Sequence, residues 1–312
     1  MTADGRVRIA VIGVGHLGRH HARLLAASPL AELVAVVDTV PDRAAASAEA
    51  TGARAMADYR DLLGQVDAVT IAVPTEQHAE VARPFLERGT AVLVEKPLAR
   101  SVAEADGLLA AAAASGAVLA VGHTERYNPA VAAVLPLVTA PRFIEVHRLG
   151  AFPDRSLDID VVFDLMIHDL DVILALVRSD VTAIEAVGVA VLTGRYDIAN
   201  ARLRFATGCI ANVTASRISR ERVRKIRFFQ PDAYLSIDYA EQEVEGWRLR
   251  RDGARPAIEG GPLPIAHREP LACELEDFVT AIRDRRPPLV TGADGRRALA
   301  LAQAIADRME SV

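Results

Sequence analysis

A glycine-rich turn directly after a short apolar strand is the feature that most constrains the fold of this chain. The run Arg-Val-Arg-Ile-Ala-Val-Ile precedes Gly13-x-Gly15-x-x-Gly18, and a helical pattern follows. In this context Gly13 suits a tight turn, Gly15 lets the backbone approach a pyrophosphate, and Gly18 allows close helix–strand packing. A second strand ends in Asp38, whose carboxylate can accept hydrogen bonds from ribose hydroxyls and repels a 2′-phosphate. The pattern predicts a dinucleotide site that takes NAD rather than NADP, a preference that Arg43 could weaken.

Strands and helices alternate regularly over the first part of the chain. This alternation is typical of a parallel, doubly wound sheet with helices on both faces. We therefore predict an α/β domain of the Rossmann type, which binds NAD, over residues 1–122. The strands predicted in it are Val7–Ile12, Leu33–Val37, Ala68–Val73, Ala91–Val94 and Val118–Gly122.

The pattern changes after Gly122. Short segments with period-two alternation are linked by turns such as Ala-Thr-Gly at 206–208, which indicates a mostly antiparallel sheet with one covered face. We predict an α+β domain for substrate binding and oligomerisation over residues 123–312, with a large open sheet; its last helix is free to pack on the first domain. Its predicted strands are Arg142–Leu149, Ile184–Leu192, Ala199–Phe205, Cys209–Ser216, Arg224–Phe229 and Tyr234–Tyr239, and its closing helices lie near Leu271–Asp284 and Asp294–Met309.

Polar residues follow two of the predicted parallel strands. In open α/β sheets, ligands bind at the carboxyl ends of the strands. One buried strand ends in Glu95-Lys96-Pro97, and the proline cannot continue the ladder. A lysine at that edge can steer a hydroxyl or carbonyl group, whereas a solvated Glu–Lys pair is the alternative. Pro74 and Thr75 lie at the end of another strand of the same sheet.

A long apolar segment, 158–177, carries polar residues in line. As a helix it is apolar nearly all round, so it is predicted to be buried. The residues on its polar stripe, at steps of four, four and three, are Asp160, Asp164, His168 and Asp171. Asp169 falls off the stripe and is predicted to be a solvent-facing or capping group. The stripe suits a general base, His168, supported by Asp164. A structural Asp–His pair and a metal site with two of its ligands here are the alternatives.

Composition excludes several classes of function. A net charge of −5 and a pI near 5.9 argue against a nucleic-acid or membrane-surface role. The first residues are short and polar before the first strand, so no signal peptide is expected, and no apolar run of membrane-spanning length lacks charges. Cys209 and Cys273 have no metal-site spacing and imply no disulfide framework. We expect a cytoplasmic protein.

Four motifs in order resemble those of the Gfo/Idh/MocA family, the glucose–fructose oxidoreductase and inositol dehydrogenase group. They are Gly13-x-Gly15-x-x-Gly18, Ala72-Val-Pro-Thr-x-x-His78, Glu95-Lys96-Pro97 and Asp164-x-x-x-His168-x-x-Asp171. The resemblance covers essentially the whole chain. It implies a Rossmann domain followed by a domain on a large open sheet, and an NAD(P)-dependent oxidoreductase that acts on CH–OH groups.

The resemblance also assigns roles to individual residues. The catalytic residues would be Lys96, Asp164 and His168, of which His168 takes the hydroxyl proton. The cofactor-binding residues would be Gly13, Gly15, His16, Leu17, Gly18, Asp38, Arg43, Ala72, Pro74, Thr75, His78, Glu95 and Lys96. The substrate-binding residues would be Lys96, Arg148, Arg155, Asp164 and His168. The two arginines are inferred from their position in the sequence, close to the expected cleft; if they face it they suit a phosphorylated or nucleotide-linked sugar, and solvated surface charge is the alternative. No metal is expected.

Longer stretches narrow the resemblance to one branch of the family. Residues 145–155, 164–171 and 211–217 are similar to the UDP-N-acetylglucosamine 3-dehydrogenases, which act ahead of an aminotransferase in lipid A precursor synthesis. The branch oxidises the sugar 3-hydroxyl to a ketone with NAD. The alternatives are a dehydrogenase of another sugar or inositol, an NAD-dependent glycosidase, and a regulator that binds NAD without turnover. Exposed sheet faces pair subunits in the family, so a homodimer or homotetramer is expected.

Overall fold

The computed structural model describes residues 2, 5–152, 159–251 and 255–311. The chain forms two compact units. The first unit comprises residues 1–124 together with Pro270–Leu299, and the second comprises Glu125–Glu269 together with 300–312.

The first unit is built on a parallel sheet, and the second on a larger sheet. In chain order the strands are β1 Val7–Ile12, β2 Ala31–Val37, β3 Arg54–Met56, β4 Ala68–Ile71, β5 Ala91–Glu95, β6 Leu119–Gly122, β7 Phe143–Leu149, β8 Val181–Val189, β9 Ile198–Phe205, β10 Ile210–Ser216, β11 Val223–Gln230, β12 Ala233–Asp238, β13 Glu243–Arg250, β14 Ala257–Pro262 and β15 Glu310–Ser311. The helices are α1 Gly18–Ala27, α2 Pro41–Thr51, α3 His78–Leu86, α4 Val102–Ser115, α5 Pro129–Val134, α6 Ile167–Val177, α7 Pro270–Asp284 and α8 Gly292–Ala306.

The six strands of the first sheet run in the order β3-β2-β1-β4-β5-β6 and are all parallel. β4 and β5 are buried along their whole length, as expected for strands covered on both faces. The strand order reverses between β1 and β4, which is the position where open α/β sheets bind ligands. The predicted doubly wound sheet is confirmed.

α7 belongs to the core of the first unit although it comes late in the chain. Its residues Leu275, Phe278 and Val279 are buried in one cluster with β1, β2, β5 and α1. They lie three and four residues apart, so a single face of the helix covers the sheet. The sequence predicts the helix itself closely, at Leu271–Asp284.

The second sheet has nine strands, in the order β14-β13-β12-β11-β7-β10-β9-β8-β15. Its neighbours pair antiparallel except for β7 with β10 and β8 with β15. β7 and β9 alternate strictly between buried and more exposed residues, so one face is covered. The predicted fold class, an α/β Rossmann domain followed by an α+β domain with a mostly antiparallel open sheet, is confirmed.

The apolar segment predicted as one helix is two different helical segments. A π-helix, Val162–Met166, leads directly into α6. Wider π turns change the register of side chains four residues apart, and such turns occur frequently at functional sites. The prediction of a single regular helix was therefore wrong at its first turn, and Asp158 lies outside the described residues.

None of the described helices is both long enough and apolar enough to cross a bilayer.

Candidate functional site

The glycine-rich turn after β1 is shaped by close backbone contacts. Gly13 has φ +83°, and a Cβ built on it would lie 2.7 Å from the carbonyl oxygen of Ala72. A Cβ on Gly18 would overlap the carbonyl oxygen of Gly13. Beside Gly15, in contrast, no other heavy atom lies within 4 Å of a built Cβ. The turn is thus tight at both ends and open in the middle, which fits a pyrophosphate approaching the start of α1.

Asp38 connects this turn to the end of β2. Its Oδ2 accepts a hydrogen bond from the Val14 N–H at 3.0 Å, and its Oδ1 accepts one from the Val40 N–H at 2.9 Å. The side chain is 8% exposed. The carboxylate therefore fixes the backbone of both loops and places its charge where the sequence predicts ribose recognition.

Removing the Asp38 charge is expected to relax cofactor preference. Asp38→Asn keeps the shape and one amide-oxygen acceptor but removes the repulsion toward a 2′-phosphate. We expect the ratio of kcat/KM for NADP to that for NAD to rise about tenfold, equivalent to ~1.4 kcal/mol. Steady-state kinetics with both cofactors measure it, with Asp42→Asn on the exposed start of α2 as the matched control. An unchanged ratio would assign the preference to another group, such as Arg43.

The other predicted cofactor residues lie on the loops at the carboxyl end of this sheet or at the helices that follow. His16, Leu17, Arg43 and Pro74 are exposed, and Ala72 and Thr75 are half-buried. The carboxyl ends of parallel strands meet at one edge, so the loops after β1, β2, β4 and β5 lie along the same edge of the sheet. The structure thus groups these residues at one edge, while their contacts with a cofactor stay a prediction.

His78, the first residue of α3, ties the loop after β4 to the loop after β5. It is 1% exposed, and its Nδ1 and Nε2 lie 2.9 Å from the Pro97 carbonyl oxygen and 3.0 Å from the Val73 carbonyl oxygen. Burial lowers the pKa of His78, which hydrogen bonds to these two carbonyls partly offset. A neutral imidazole donates only one of the two bonds. The described contacts of His78 hold the half-buried turn that carries Lys96.

Glu95, directly before Lys96, belongs to a buried cluster that the sequence does not suggest. Its Oε1 lies 3.0 Å from Nε2 of His21 on α1. His21, Glu95 and Glu274 on α7 each place one donor atom within 4.8 Å of the others. Within the described part of the chain, this is the group whose side chains have the atom types and spacing that could hold a divalent cation.

In the second unit, Asp164 and His168 lie where the π-helix passes into α6. Asp164 is inside the π-helix and His168 is the second residue of α6, and both side chains are half-buried. Upstream, the Tyr196 N–H donates to Asp160 Oδ1 at 3.0 Å. Asp164, His168 and Asp171 lie on the π-helix and the α-helix that follows it, whereas Asp160 precedes both. The catalytic roles of these residues stay a prediction.

Asp169 is not the solvent-facing group that the sequence predicts. It is 1% exposed and receives two hydrogen bonds from Arg148 on β7, at 2.6 Å from Nε and 3.0 Å from Nη2. Arg148 also donates to Glu125 Oε1 at 3.0 Å. Burial alone would lower the pKa of the Arg148 guanidinium, but these two carboxylates raise it. The prediction failed because sequence spacing does not show that a buried cation faces this side of the helix.

The same contacts bear on the predicted substrate role of Arg148. Arg148 is 4% exposed and its guanidinium already binds two carboxylates, which favours a role in holding α6 against β7. Arg126 pairs similarly with the buried Asp171, at 3.4 Å. Arg155, the other predicted substrate arginine, lies outside the described residues.

Breaking the Arg148–Asp169 pair is expected to destabilise the protein strongly. Asp169→Asn removes one of the two carboxylates that pair with the buried Arg148 guanidinium. Breaking a buried ion pair in this way costs about 3–5 kcal/mol. We expect the midpoint of thermal unfolding to fall by roughly 6–12 °C. Asp232→Asn, which breaks the exposed pair with Arg251, is the matched control and should have little effect. Equal shifts in the two variants would show that the buried pair contributes no more than a surface pair.

Comparisons with known proteins cover both units. A family described as an oxidoreductase family with an NAD-binding Rossmann fold matches residues 7–123, and the GFO/IDH/MocA C-terminal domain matches residues 141–232. The predicted family and the predicted cofactor, NAD, are thereby confirmed.

Individual relatives extend over nearly the whole chain. UDP-N-acetylglucosamine 3-dehydrogenase of Acidithiobacillus ferrooxidans is 42% identical over 95% of this chain and 95% of that protein. A solved structure of the enzyme of this name from the same organism superposes with a TM-score of 0.91, at 40% identity over 97% of this chain and 98% of the other. Inositol 2-dehydrogenase of Rhizobium meliloti is 26% identical over 96% of this chain and 95% of that protein.

Proposed function

Because this chain belongs to the Gfo/Idh/MocA family of NAD-binding oxidoreductases, we propose that it oxidises the 3-hydroxyl of UDP-N-acetylglucosamine to a ketone. The observation that carries the proposal is the 42% identity, over 95% of both chains, to an enzyme named for that reaction. The inositol 2-dehydrogenase of Rhizobium meliloti is less similar, at 26% identity over 96% of this chain. A sugar-nucleotide substrate is therefore the better supported of the two classes.

The residues at the carboxyl edge of the first sheet would bind the cofactor. The open backbone beside Gly15 would receive the pyrophosphate, and the Asp38 carboxylate would accept hydrogen bonds from the adenosine ribose. NAD supplies the acceptor for the hydride that leaves the carbinol carbon. We propose that residues 1–122 perform this binding and that residues 123–312 recognise the sugar nucleotide.

Three side chains of this protein would manage the charge and the proton of the reacting hydroxyl. His168 would take the hydroxyl proton as general base, and Asp164 would orient the imidazole or share its proton. The Lys96 ammonium would stabilise the negative charge that develops on the oxygen.

Proposed subunit pairing rests on the second sheet. Phe143, Phe229, Tyr234 and Trp247 are directly opposite one another on neighbouring strands, so they form an aromatic row on one sheet face. Phe229 is 36% exposed and Trp247 is 41% exposed. A contiguous exposed aromatic surface is typical of a subunit interface. We propose a cytoplasmic homodimer or homotetramer that acts in lipid A precursor synthesis, ahead of an aminotransferase.

The test is NADH formation at 340 nm from NAD and UDP-N-acetylglucosamine. An aminotransferase and glutamate are added to pull the unstable ketone forward. A 3-amino sugar nucleotide in the product mixture would support substrate and regiochemistry together. Activity on free sugars or inositols alone would reject the nucleotide-sugar substrate. Tight NAD binding without net oxidation of any alcohol would instead favour a glycosidase or a regulator.

A further inference from the structure

Three ionisable side chains meet inside the first unit, of which Glu95 is a predicted cofactor-binding residue and His21 and Glu274 have no part in the proposed mechanism. His21 and Glu274 have no exposed surface, and Glu95 is 6% exposed. The His21 Nε2 and Glu95 Oε1 atoms approach to 3.0 Å, although the ring N–H is not aligned on the oxygen. Among the described residues, neither Glu274 carboxyl oxygen has a hydrogen bond of ordinary geometry, although the Thr124 hydroxyl lies close enough to affect the pKa of Glu274. Burying such groups is costly unless they interact with one another.

We propose that Glu274 is a positioning residue for Lys96: with His21 it holds the side chain of Glu95, and Glu95 holds Lys96 at the carboxyl end of β5. The inference rests on the catalytic role proposed for Lys96. It gives α7, which comes nearly two hundred residues later in the chain, a part in the active-site geometry of the first unit.

The Glu95 carboxylate is confined on two sides. The Lys96 backbone N–H donates to its Oε2 at 3.3 Å, so the carboxylate is tied to the residue that it would position. On the other side is Gly122 of β6, which pairs with Glu95 in the sheet register. A Cβ at Gly122 would lie 2.9 Å from both carboxylate oxygens. Because the carboxylate fills this space, a shift of its position on loss of Glu274 would be transmitted to the Lys96 turn.

A protonated Glu274 would allow two buried carboxyl groups to lie together. Burial raises the pKa of Glu274 well above its ordinary value of 4.5, the charges of Glu95 and Asp277 raise it further, and the nearby Thr124 hydroxyl lowers it only in part. A neutral carboxylic acid is a hydrogen-bond donor, whereas a carboxylate is only an acceptor. Besides Asp277, the groups near this pair are His21 on α1, His78 on α3 and Lys96 itself.

The chain offers an unusually clean probe, since Lys96 and Lys225 are its two lysines. Reductive ¹³C-methylation would give one NMR resonance for each, besides that of the terminal amine. Lys225 is paired with Asp238 at the surface of the second unit and serves as the internal control. The readout needs neither cofactor nor substrate, so failure of the proposed function cannot be mistaken for failure of this inference.

The variants are Glu274→Leu, which removes the donor at similar volume, and Glu274→Gln, which keeps an N–H donor. We expect Glu274→Leu to move the Lys96 resonance and to lower kcat about tenfold with the KM for NAD unchanged, a loss equivalent to ~1.4 kcal/mol. Glu274→Gln should retain the wild-type resonance and kcat within about threefold, and Lys225 should not move in either variant. A Lys96 resonance unmoved in Glu274→Leu, or moved equally in Glu274→Gln, would overturn the proposal.

A second variant, on β6, perturbs the Glu95 carboxylate directly and can be used if Glu274→Leu does not fold. Gly122→Ala should displace the Glu95 carboxylate and move the Lys96 resonance, whereas Gly194→Ala, with open space around its built Cβ, should not. An unmoved resonance in Gly122→Ala would count against the proposal. Elemental analysis completes the test: a stoichiometric divalent metal in the wild type that Glu274→Gln loses would overturn it, because a metal ion would then hold the three side chains.

The pH dependence of stability checks the protonated state of Glu274. A carboxyl group whose pKa is raised on folding binds its proton more tightly in the native state. The stability it contributes is fully present below the unfolded value, near 4.5, and is lost as the pH rises through the folded pKa. The midpoint of thermal unfolding of Glu274→Gln should therefore rise relative to that of the wild type as the pH is raised from about 4.5. A constant difference between them would contradict a neutral Glu274.

Discussion

Lys96→Ala is expected to lower kcat by about 10³-fold while the affinity for NAD stays measurable, because the ammonium would stabilise charge that develops on the reacting oxygen. The β5 strand and the buried contacts of His78 with the neighbouring loop do not use the lysine side chain, so the fold should be retained. Stopped-flow or steady-state kinetics, with NAD affinity from fluorescence titration, separate turnover from binding.

Lys225→Ala is the matched control for this prediction, since it removes the one other lysine of the chain. Its side chain is 42% exposed and forms a surface ion pair with Asp238. Such pairs contribute little to stability, so the control should keep wild-type kcat. If Lys96→Ala retained more than about a tenth of wild-type turnover, Lys96 would have no major part in the chemistry.

His168→Ala is expected to lower kcat by about 10²–10⁴-fold, the range over which a positioned general base contributes. The imidazole is half-buried at the start of α6, next to Asp169, whose carboxylate is anchored by Arg148. That anchoring fixes the helical turn that carries His168, so truncating its side chain should remove the base without displacing α6.

The matched control is His267→Ala, because His267 is exposed on the segment between β14 and α7. Steady-state kcat and far-ultraviolet circular dichroism should be measured on both variants. A loss of less than about threefold in His168→Ala would support the alternative that the histidine is part of a structural Asp–His pair. Recovery of part of the rate at high pH, where hydroxide can replace the base, would support the general-base role.

The parallel sheet could be predicted from the sequence because its signals are local. β1 was predicted with its correct bounds at Val7–Ile12, and the glycine spacing that follows it encodes a tight turn whose contacts the structure shows. β3 was missed, since Arg54–Met56 has three residues and no burial pattern of its own. A strand this short forms because β2 already presents an edge for it.

The sequence did not predict β13 and β14, which form one edge of the second sheet, for a related reason. β13 and β14 contain Gly246, Gly260 and Gly261, which read as turn residues in a sequence. A Cβ on Gly260 would overlap the backbone of β13, so this glycine permits close pairing of the strands and does not mark a turn. Glycine spacing alone does not distinguish these two uses.

The buried cluster in the first unit could not be assembled from spacing, although each member left a signal. His21 follows Gly18 by three residues on the buried face of α1, and Glu274 precedes Phe278 by four on the buried face of α7. A charged residue on an apolar helical face indicates a buried partner. The sequence does not say that these two faces meet at Glu95, because that requires α7 to pack on the first sheet.

We propose that this NAD-dependent oxidoreductase removes hydride from C3 of UDP-N-acetylglucosamine. The most direct measurement is deuterium transfer from UDP-N-acetylglucosamine labelled at C3, with the NADH formed analysed by mass spectrometry. We predict that the NADH carries the deuterium and that substrate labelled at C4 gives unlabelled NADH. Unlabelled NADH from the C3-labelled sugar, or labelled NADH from the C4-labelled sugar, would contradict the claim.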